Sequence, residues 1–359
     1  MAKIYIDLSK TIGSGYASGL NRYNLRLSEE LAKKMGGDLV PVRWSRLTRS
    51  LREIESGHAI EPTSEDAYLI GEAFDPNKRW GWQASLKAWP GKRFAVFHDN
   101  IPGTHPELCF PHVVKRHVDY LDALAEFDSI LAVSAHSAAA VQIALGKRCP
   151  QTAVVGAGAD FDQLAAWDPV CREQRLVAID KTIEALMVGI IEPRKNQEAA
   201  MEAQRMLKDK GIELRLKFIG RENDHFGAAI IEKMKAQQAE GFSIELLGAA
   251  SDEALNDAFG ETDILLFPSI AEGFGLPPFE SLARGVPCLT WKLPGVSEYL
   301  SDAPIRWIEK PTAEEIAQGI ERFVIDLDFR KSFVKKVQAT KFPTWSSVAD
   351  KVIENTISM

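Results

Sequence analysis

Two doubly wound α/β domains, their strand C-termini turned toward a shared central cleft, are the fold class this sequence predicts. Three observations lead there. Short apolar runs alternate with amphipathic stretches along the whole chain, the pattern of βα units and parallel sheets. The length, 359 residues, is long for one core and comfortable for two. The patterning is weakest over residues 158–177, which divides the alternation into two halves.

In the first half the strands are expected at 3–8, 39–42, 67–70, 94–97, 129–133 and 152–155. A helix over 20–34 follows from the helical spread of Leu20, Tyr23, Leu27 and Leu31. Residues 158–177 read as the linker. Second-half strands are expected at 185–191, 215–219, 243–247, 263–267 and 287–290, with a helix over 196–210. Ser251 is placed to cap a helix over 251–259, with Asp252 and Glu253 in its first turn. An amphipathic helix over 345–357 follows Phe342-Pro343. The domains are thus 1–168 and 169–342, with 343–359 packing back on the first. Ligands of such sheets bind beyond the strand C-termini.

Composition excludes several classes. A net charge of −7 argues against a nucleic-acid partner. No apolar run approaches the roughly 18 residues of a membrane span, and the N-terminus reads as a strand, not a signal peptide. Four cysteines (Cys109, Cys149, Cys171 and Cys288) stand without metal-ligand spacing, which suits reduced thiols in a cytoplasm.

The most informative stretch is IAEGFGLPPFESLARGVP, residues 270–287. Pro277 and Pro278 suit a first helical turn and Gly285 a C-cap, which predicts a short helix over 277–284. Gly273 and Gly275 leave the preceding backbone free of Cβ atoms. The N–H groups and dipole of the helix start favour an anion. Glu272 and Glu280 then make sense as acceptors for hydroxyl pairs on either side of a diphosphate. In that arrangement Glu280 takes a ribose and Glu272 a sugar. The plainer alternative, a dipole partner and a solvated loop residue, has equal weight from physics alone.

That stretch is similar to the E-x7-E signature of retaining GT-B glycosyltransferases of family 4. The similarity extends to VGIIEPRKNQEAAMEA (188–203), FIGREN (218–223), ELLGAASDEALNDAFGETDILLFPSIAEGFGLP (245–277), FHDNIPGTHPEL (97–108) and LAVSAHSA (131–138). The resemblance implies a GT-B fold and a nucleotide-sugar donor, with no cofactor and no metal. It assigns Arg194 and Lys195 to the donor diphosphate, where they stabilise the leaving group. Gly220, Gly248, Gly273, Phe274, Gly275 and Leu276 fall along the donor, with Glu280 on the ribose and Glu272 on the sugar. His98 becomes the contact to the transferred sugar, and Ser134 supports the same region or simply caps a helix. The loop TIGSGYASGLNRY (11–23) departs from G-x-G-x-x-G; its Gly15 is the candidate for close approach.

HDNIPGTHPE (98–107) resembles the mannosyltransferase-like members that build bacterial surface polysaccharides, lipopolysaccharide among them. GDP-mannose is therefore the first donor expected, ahead of UDP- or dTDP-sugars, and a lipid-linked or growing oligosaccharide the acceptor. Arg43, Arg46, Arg49 and Arg52 are spaced three apart. As a helix they form a stripe for anionic lipid at the inner face of a membrane, or for a phosphorylated acceptor; as a loop, a solvated face. Trp80, Trp82 and Trp89 are either an acceptor groove or core. Asp326-Leu327-Asp328, in a late helical stretch, reads as surface charge. Two residues depart from the family pattern, Gly156 and Trp291. Two other functions fit the same architecture: a nucleotide-sugar 2-epimerase, and a non-catalytic nucleotide- or glycan-binding module.

Overall fold

The computed structural model describes residues 2–13, 19–160 and 167–357, so Gly15 lies outside the described residues. In chain order the strands are β1 Ile4–Asp7, β2 Leu39–Ser45, β3 Ser50–Glu53, β4 Ala67–Ile70, β5 Lys92–Phe97, β6 Ser129–Ala132 and β7 Gln151–Val154. They continue as β8 Thr182–Val188, β9 Glu213–Ile219, β10 Ile244–Leu246, β11 Ile264–Phe267, β12 Cys288–Trp291 and β13 Arg306–Ile308. The helices are α1 Gly19–Met35, α2 Trp82–Lys87, α3 Ile101–Thr104, α4 Pro111–Leu124, α5 Ala135–Leu145, α6 Pro169–Val177 and α7 Gln197–Asp209. Then come α8 Gly227–Ala239, α9 Asp252–Gly260, α10 Leu276–Ala283, α11 Pro294–Leu300, α12 Ala313–Ile325, α13 Leu327–Ala339 and α14 Trp345–Thr356.

The chain forms two compact units, Met1–Gly158 with Pro343–Met359, and Ala159–Phe342. The first holds a seven-stranded sheet in the order β3-β2-β1-β4-β5-β6-β7, parallel except for β3. The second holds a six-stranded parallel sheet, β10-β9-β8-β11-β12-β13. Both are Rossmann-like. Strands β1, β4, β6 and β11 are buried at every position, because helices cover both faces of a parallel sheet. That is why they read as unbroken apolar runs. Winding reverses between β1 and β4 in the first unit and between β8 and β11 in the second, the positions where such sheets take ligands.

Helix α14 completes the first unit. Trp345 meets the Tyr23 ring edge-on at 5.2 Å, and Lys34 pairs with Asp350 at 2.8 Å. Gly158 passes so close that a Cβ there would sit 2.3 Å from Trp345 Cγ. The unit's core is aromatic, with Tyr68, Phe74, Trp82, Trp89 and Phe127 in one cluster. Trp82 and Trp89 therefore pack the core and do not line a groove, whereas Trp80 is 66% exposed.

The structure decides one alternative and corrects one expectation. Residues 43–52 form no helix but a solvated hairpin: β2 and β3 are antiparallel, with Arg43 opposite Arg52 and Trp44 opposite Leu51. Alternation puts Trp44 inward and the arginines outward. Residues 169–177, read as linker, are α6; Asp168 accepts from the Val170 and Cys171 N–H groups and Pro169 takes the first turn. No helix among the described residues is long and apolar enough to cross a membrane.

Candidate active site

The reversal of winding in the second unit brings two loops side by side. After β8, Pro193–Lys195 make a 3₁₀ turn, and Asn196 enters α7 with a φ of 59°. After β11, residues 268–275 lead into α10. The loops are stitched by backbone: Ile270 N–H donates to the Arg194 carbonyl at 2.8 Å. Arg194 Nη1 donates to the Ala271 carbonyl at 3.0 Å, and Asn196 Nδ2 to Pro268 at 3.3 Å. Trp291 is tied to the same loop, its Nε1 donating to the Ser269 carbonyl at 2.7 Å.

Arg194, Lys195 and Glu272 meet at this seam. Lys195 Nζ lies 2.6 Å and Arg194 Nη1 2.8 Å from Glu272 Oε1. Burial pushes the Glu272 carboxyl up, but Arg194 and Lys195 outweigh it and hold the group at about 2. Burial lowers the Lys195 ammonium, with Glu272 opposing. Glu192 and Asn223 are residues that sequence reasoning missed. Arg194 Nε and Nη2 both donate to Glu192 Oε1, at 3.0 and 2.7 Å, and Asn223 Nδ2 donates to Glu192 Oε2 at 3.2 Å. The fork fixes the guanidinium plane. An acidic residue two before Arg194, with an asparagine in the loop after β9, was the available signal.

Gly275 starts α10 at a φ of 85°, where a Cβ would come 2.8 Å from Val296 Cγ2. Leu276 and Pro277 open the helix, whose first N–H groups have no carbonyl within it. Glu280 is buried, 3% exposed, one turn in. Gly273 is held close to α11, since a Cβ on Gly295 would lie 2.5 Å from its carbonyl oxygen. The Phe274 side chain is taken up by packing, stacked on Phe279 at 4.7 Å. At the ends of β8 and β9, Gly220 has a φ of 156°, and a Cβ there would fall 1.8 Å from the Gly189 oxygen. Gly248 turns at a φ of 65° and accepts the Gly220 N–H at 2.8 Å.

In the first unit His98 follows β5. Its Nε2 lies 2.7 Å from the Gly71 carbonyl, so Nε2 carries the proton. Burial lowers the imidazole pKa, against the Gly71 contact and Asp99. The neutral ring keeps its lone pair on Nδ1. Tyr23 packs edge-on to it at 4.8 Å and donates its hydroxyl to the Gly156 carbonyl at 3.0 Å. Ser134 is the N-cap of α5, accepting from Ser137 N–H at 3.0 Å; Ser137 Oγ in turn donates to the His98 carbonyl at 2.6 Å. Arg79 bridges Asp7 at 2.7 Å and Glu72 at 2.9 Å. Asp7 also accepts from Tyr68, and Glu72 from the Lys10 and Thr11 N–H groups.

Two Rossmann-like units of this build are the GT-B fold. The fold matches that of Anabaena HepE, solved in complex with UDP and glucose, with a TM-score of 0.72 at 15% identity over 99% of both chains. Residues 173–340 match the family model described as Glycosyl transferases group 1. Among curated proteins the chain is similar to the Escherichia coli serotype-specific mannosyltransferase WbdA, 24% identical over 271 residues, covering 72% of this chain and 33% of WbdA. It is also similar to the Escherichia coli O-antigen chain mannosyltransferase B, 30% identical over 126 residues, covering 33% and 31%. The chain spans about one third of the length of the WbdA relatives it matches.

Proposed function

We propose that the chain transfers a sugar from a nucleotide-sugar to an acceptor hydroxyl with retention of configuration and without a metal. The donor is GDP-mannose, and the acceptor a lipid-linked or growing polysaccharide at the cytoplasmic side of a membrane. The observation that carries the reading is the seam at the second unit's reversal of winding. Two cations and the Glu272 carboxylate meet there, in the loop that leads into α10, with Glu280 one turn into that helix.

Arg194, Lys195 and the α10 N–H groups take the diphosphate. Glu280 accepts from the ribose hydroxyls and Glu272, held ionised, from the sugar. Lys195 has three N–H donors and gives one to Glu272, so it can serve both anions. His98, neutral with Nδ1 as an acceptor, takes a sugar hydroxyl. The departing diphosphate accepts the acceptor's proton while the cations hold its growing charge. The mannosyltransferase names of the relatives favour mannose.

The test is incubation with GDP-mannose, UDP-glucose and dTDP-glucose, reading nucleotide release with and without glycan acceptors. Release that depends on acceptor supports transfer. Release without acceptor, with an altered sugar, identifies an epimerase; binding without turnover identifies a binding module. In calorimetry, Glu280→Ala is expected to weaken nucleotide binding by about five- to fiftyfold, the loss of a charged hydrogen-bond acceptor. Unchanged affinity removes Glu280 from the ribose.

A further inference from the structure

The first unit contains a hollow of about 630 Å³ with His98 and Asp99 in its wall and Trp44, Phe74 and Tyr120 among its apolar lining. Its charge is lopsided. Five cations line it (Lys10, Arg46, Lys78, Arg79 and Arg116) against the two carboxylates of Asp75 and Asp99. Arg79 is neutralised by Asp7 and Glu72 behind the wall. Arg116 reaches Asp75 only at 3.5 Å.

Arg46 and Lys78 have no carboxylate partner among the described residues, and Lys10 makes no side-chain ion pair, sharing Glu72 through its backbone N–H with Arg79. They come from three separate places: the loop after β1, the turn of the β2–β3 hairpin, and the 3₁₀ turn Pro76–Lys78. No local charge run produces this; the fold assembles it. Lys10 is further fixed by donating from Nζ to the Ala73 carbonyl at 2.9 Å. Burial lowers its ammonium pKa; Glu72 opposes this, and Arg79, Arg116 and Lys78 reinforce it. Like charges held together in a partly desolvated hollow lower their energy by taking an anion.

We propose that this hollow binds a phosphate group on the acceptor, so that the acceptor is a sugar phosphate ester and not a neutral glycan. This rests on the glycosyltransfer reading, which sets His98 beside the transferred sugar and makes the adjoining hollow the acceptor's. Phosphate fits better than a carboxylate. A phosphomonoester or a bridging diphosphate carries two negative charges, and three cations from different directions match its tetrahedral oxygens. It can stand as a monoester on a soluble sugar or as the diphosphate that links a glycan to a lipid.

The experiment uses the full chain and two matched pairs of probes. One pair is mannose 6-phosphate and mannose. The other is farnesyl diphosphate-linked N-acetylglucosamine and its phosphate-free farnesyl glycoside, in neutral detergent. Binding is measured by calorimetry for the wild type and for Arg46→Ala/Lys78→Ala, whose two side chains are exposed and carry no fold contact. At least one phosphate probe is expected to bind tenfold or more tighter than its neutral partner, and the double variant to lose most of that advantage. Added salt should weaken the phosphate probe alone. Whichever pair responds identifies the source. Equal binding of phosphate and neutral probes in both pairs overturns the proposal, as does a double variant that keeps the advantage. Loss of the broader reading is distinguishable: phosphate selectivity would persist while no nucleotide-sugar gave acceptor-dependent release.

Discussion

Both units place charge at the two strands that flank the reversal of winding, and they use it differently. In the first, Asp7 ends β1, Glu72 follows β4, and Arg79 bridges them with side-chain exposures of 0%, 2% and 9%. Every carboxylate oxygen there is engaged, by Arg79, Tyr68, Ser9 or backbone N–H groups. In the second, Arg194 and Lys195 follow β8 and Glu272 follows β11, with exposures of 18%, 12% and 12%. The same address in a doubly wound sheet therefore hosts a saturated network that braces a loop, and a looser one able to exchange partners. Exposure and spare donors separate the two, not residue type.

Breaking the braced cluster should have the largest effect. Arg79→Met leaves two buried carboxylates facing each other, and unfolding in denaturant is expected to come earlier by about 3–5 kcal/mol. A shift below 1 kcal/mol would place that cluster with the exchangeable kind. Lys195→Ala tests the other side. Transfer rate is expected to fall ~10²–10³-fold with the melting temperature moved by only a few degrees. A large loss of stability with no loss of rate would reverse the comparison.

A finer cut comes from His98→Ala, for which kcat is expected to drop about 10–100-fold, the loss of one hydrogen bond to the sugar, with nucleotide affinity unchanged. Because its folded pKa lies below 6.5, the wild-type rate should be flat above pH 6.5 and fall only under more acid conditions. The last comparison concerns Glu272, whose effect shows only in acid. Its carboxyl sits at about 2 when folded against 4.5 unfolded. The stability it contributes is thus complete above about pH 4.5 and is lost as pH falls toward 2. Glu272→Gln should remove about 2 kcal/mol of acid-dependent stability, measured by unfolding between pH 6 and pH 3. Parallel curves for variant and wild type would mean that the ion pair adds nothing.

The legible parts of this chain were those governed by local rules. Ile264–Phe267 and Ala67–Ile70 are buried on both faces, so their apolar runs announced them. The 277–284 helix followed from Pro277, Pro278 and Gly285, and α10 spans Leu276–Ala283. Two edge strands were not legible, Ser50–Glu53 with one buried side chain and Arg306–Ile308 of three residues, whereas the other two edges, Gln151–Val154 and Ile244–Leu246, lie where strands were expected. The three-residue spacing of arginines over 43–52 left helix and solvated face open, because a hairpin turn interrupts an outward-facing alternation. The Asp168-Pro169 start of α6 was a readable signal, obscured by the weak pattern around it. Of the site, Arg194, Lys195 and Glu272 were singled out as a set, but not that they bind one another. The Asp7–Glu72–Arg79 cluster joins residues as far as 72 apart, and no local spacing encodes it.

Trp345 has a consequence for how the chain is made. It closes the face of α1 around Tyr23 and Gly158, yet residues 159–342 leave the ribosome before it does. At ~5–20 residues per second that interval is ~10–40 s. The second unit, contiguous in sequence, can finish folding within that time while the first waits with an aromatic surface uncovered. Until α14 arrives, the edge of Tyr23 that Trp345 covers stays open to water.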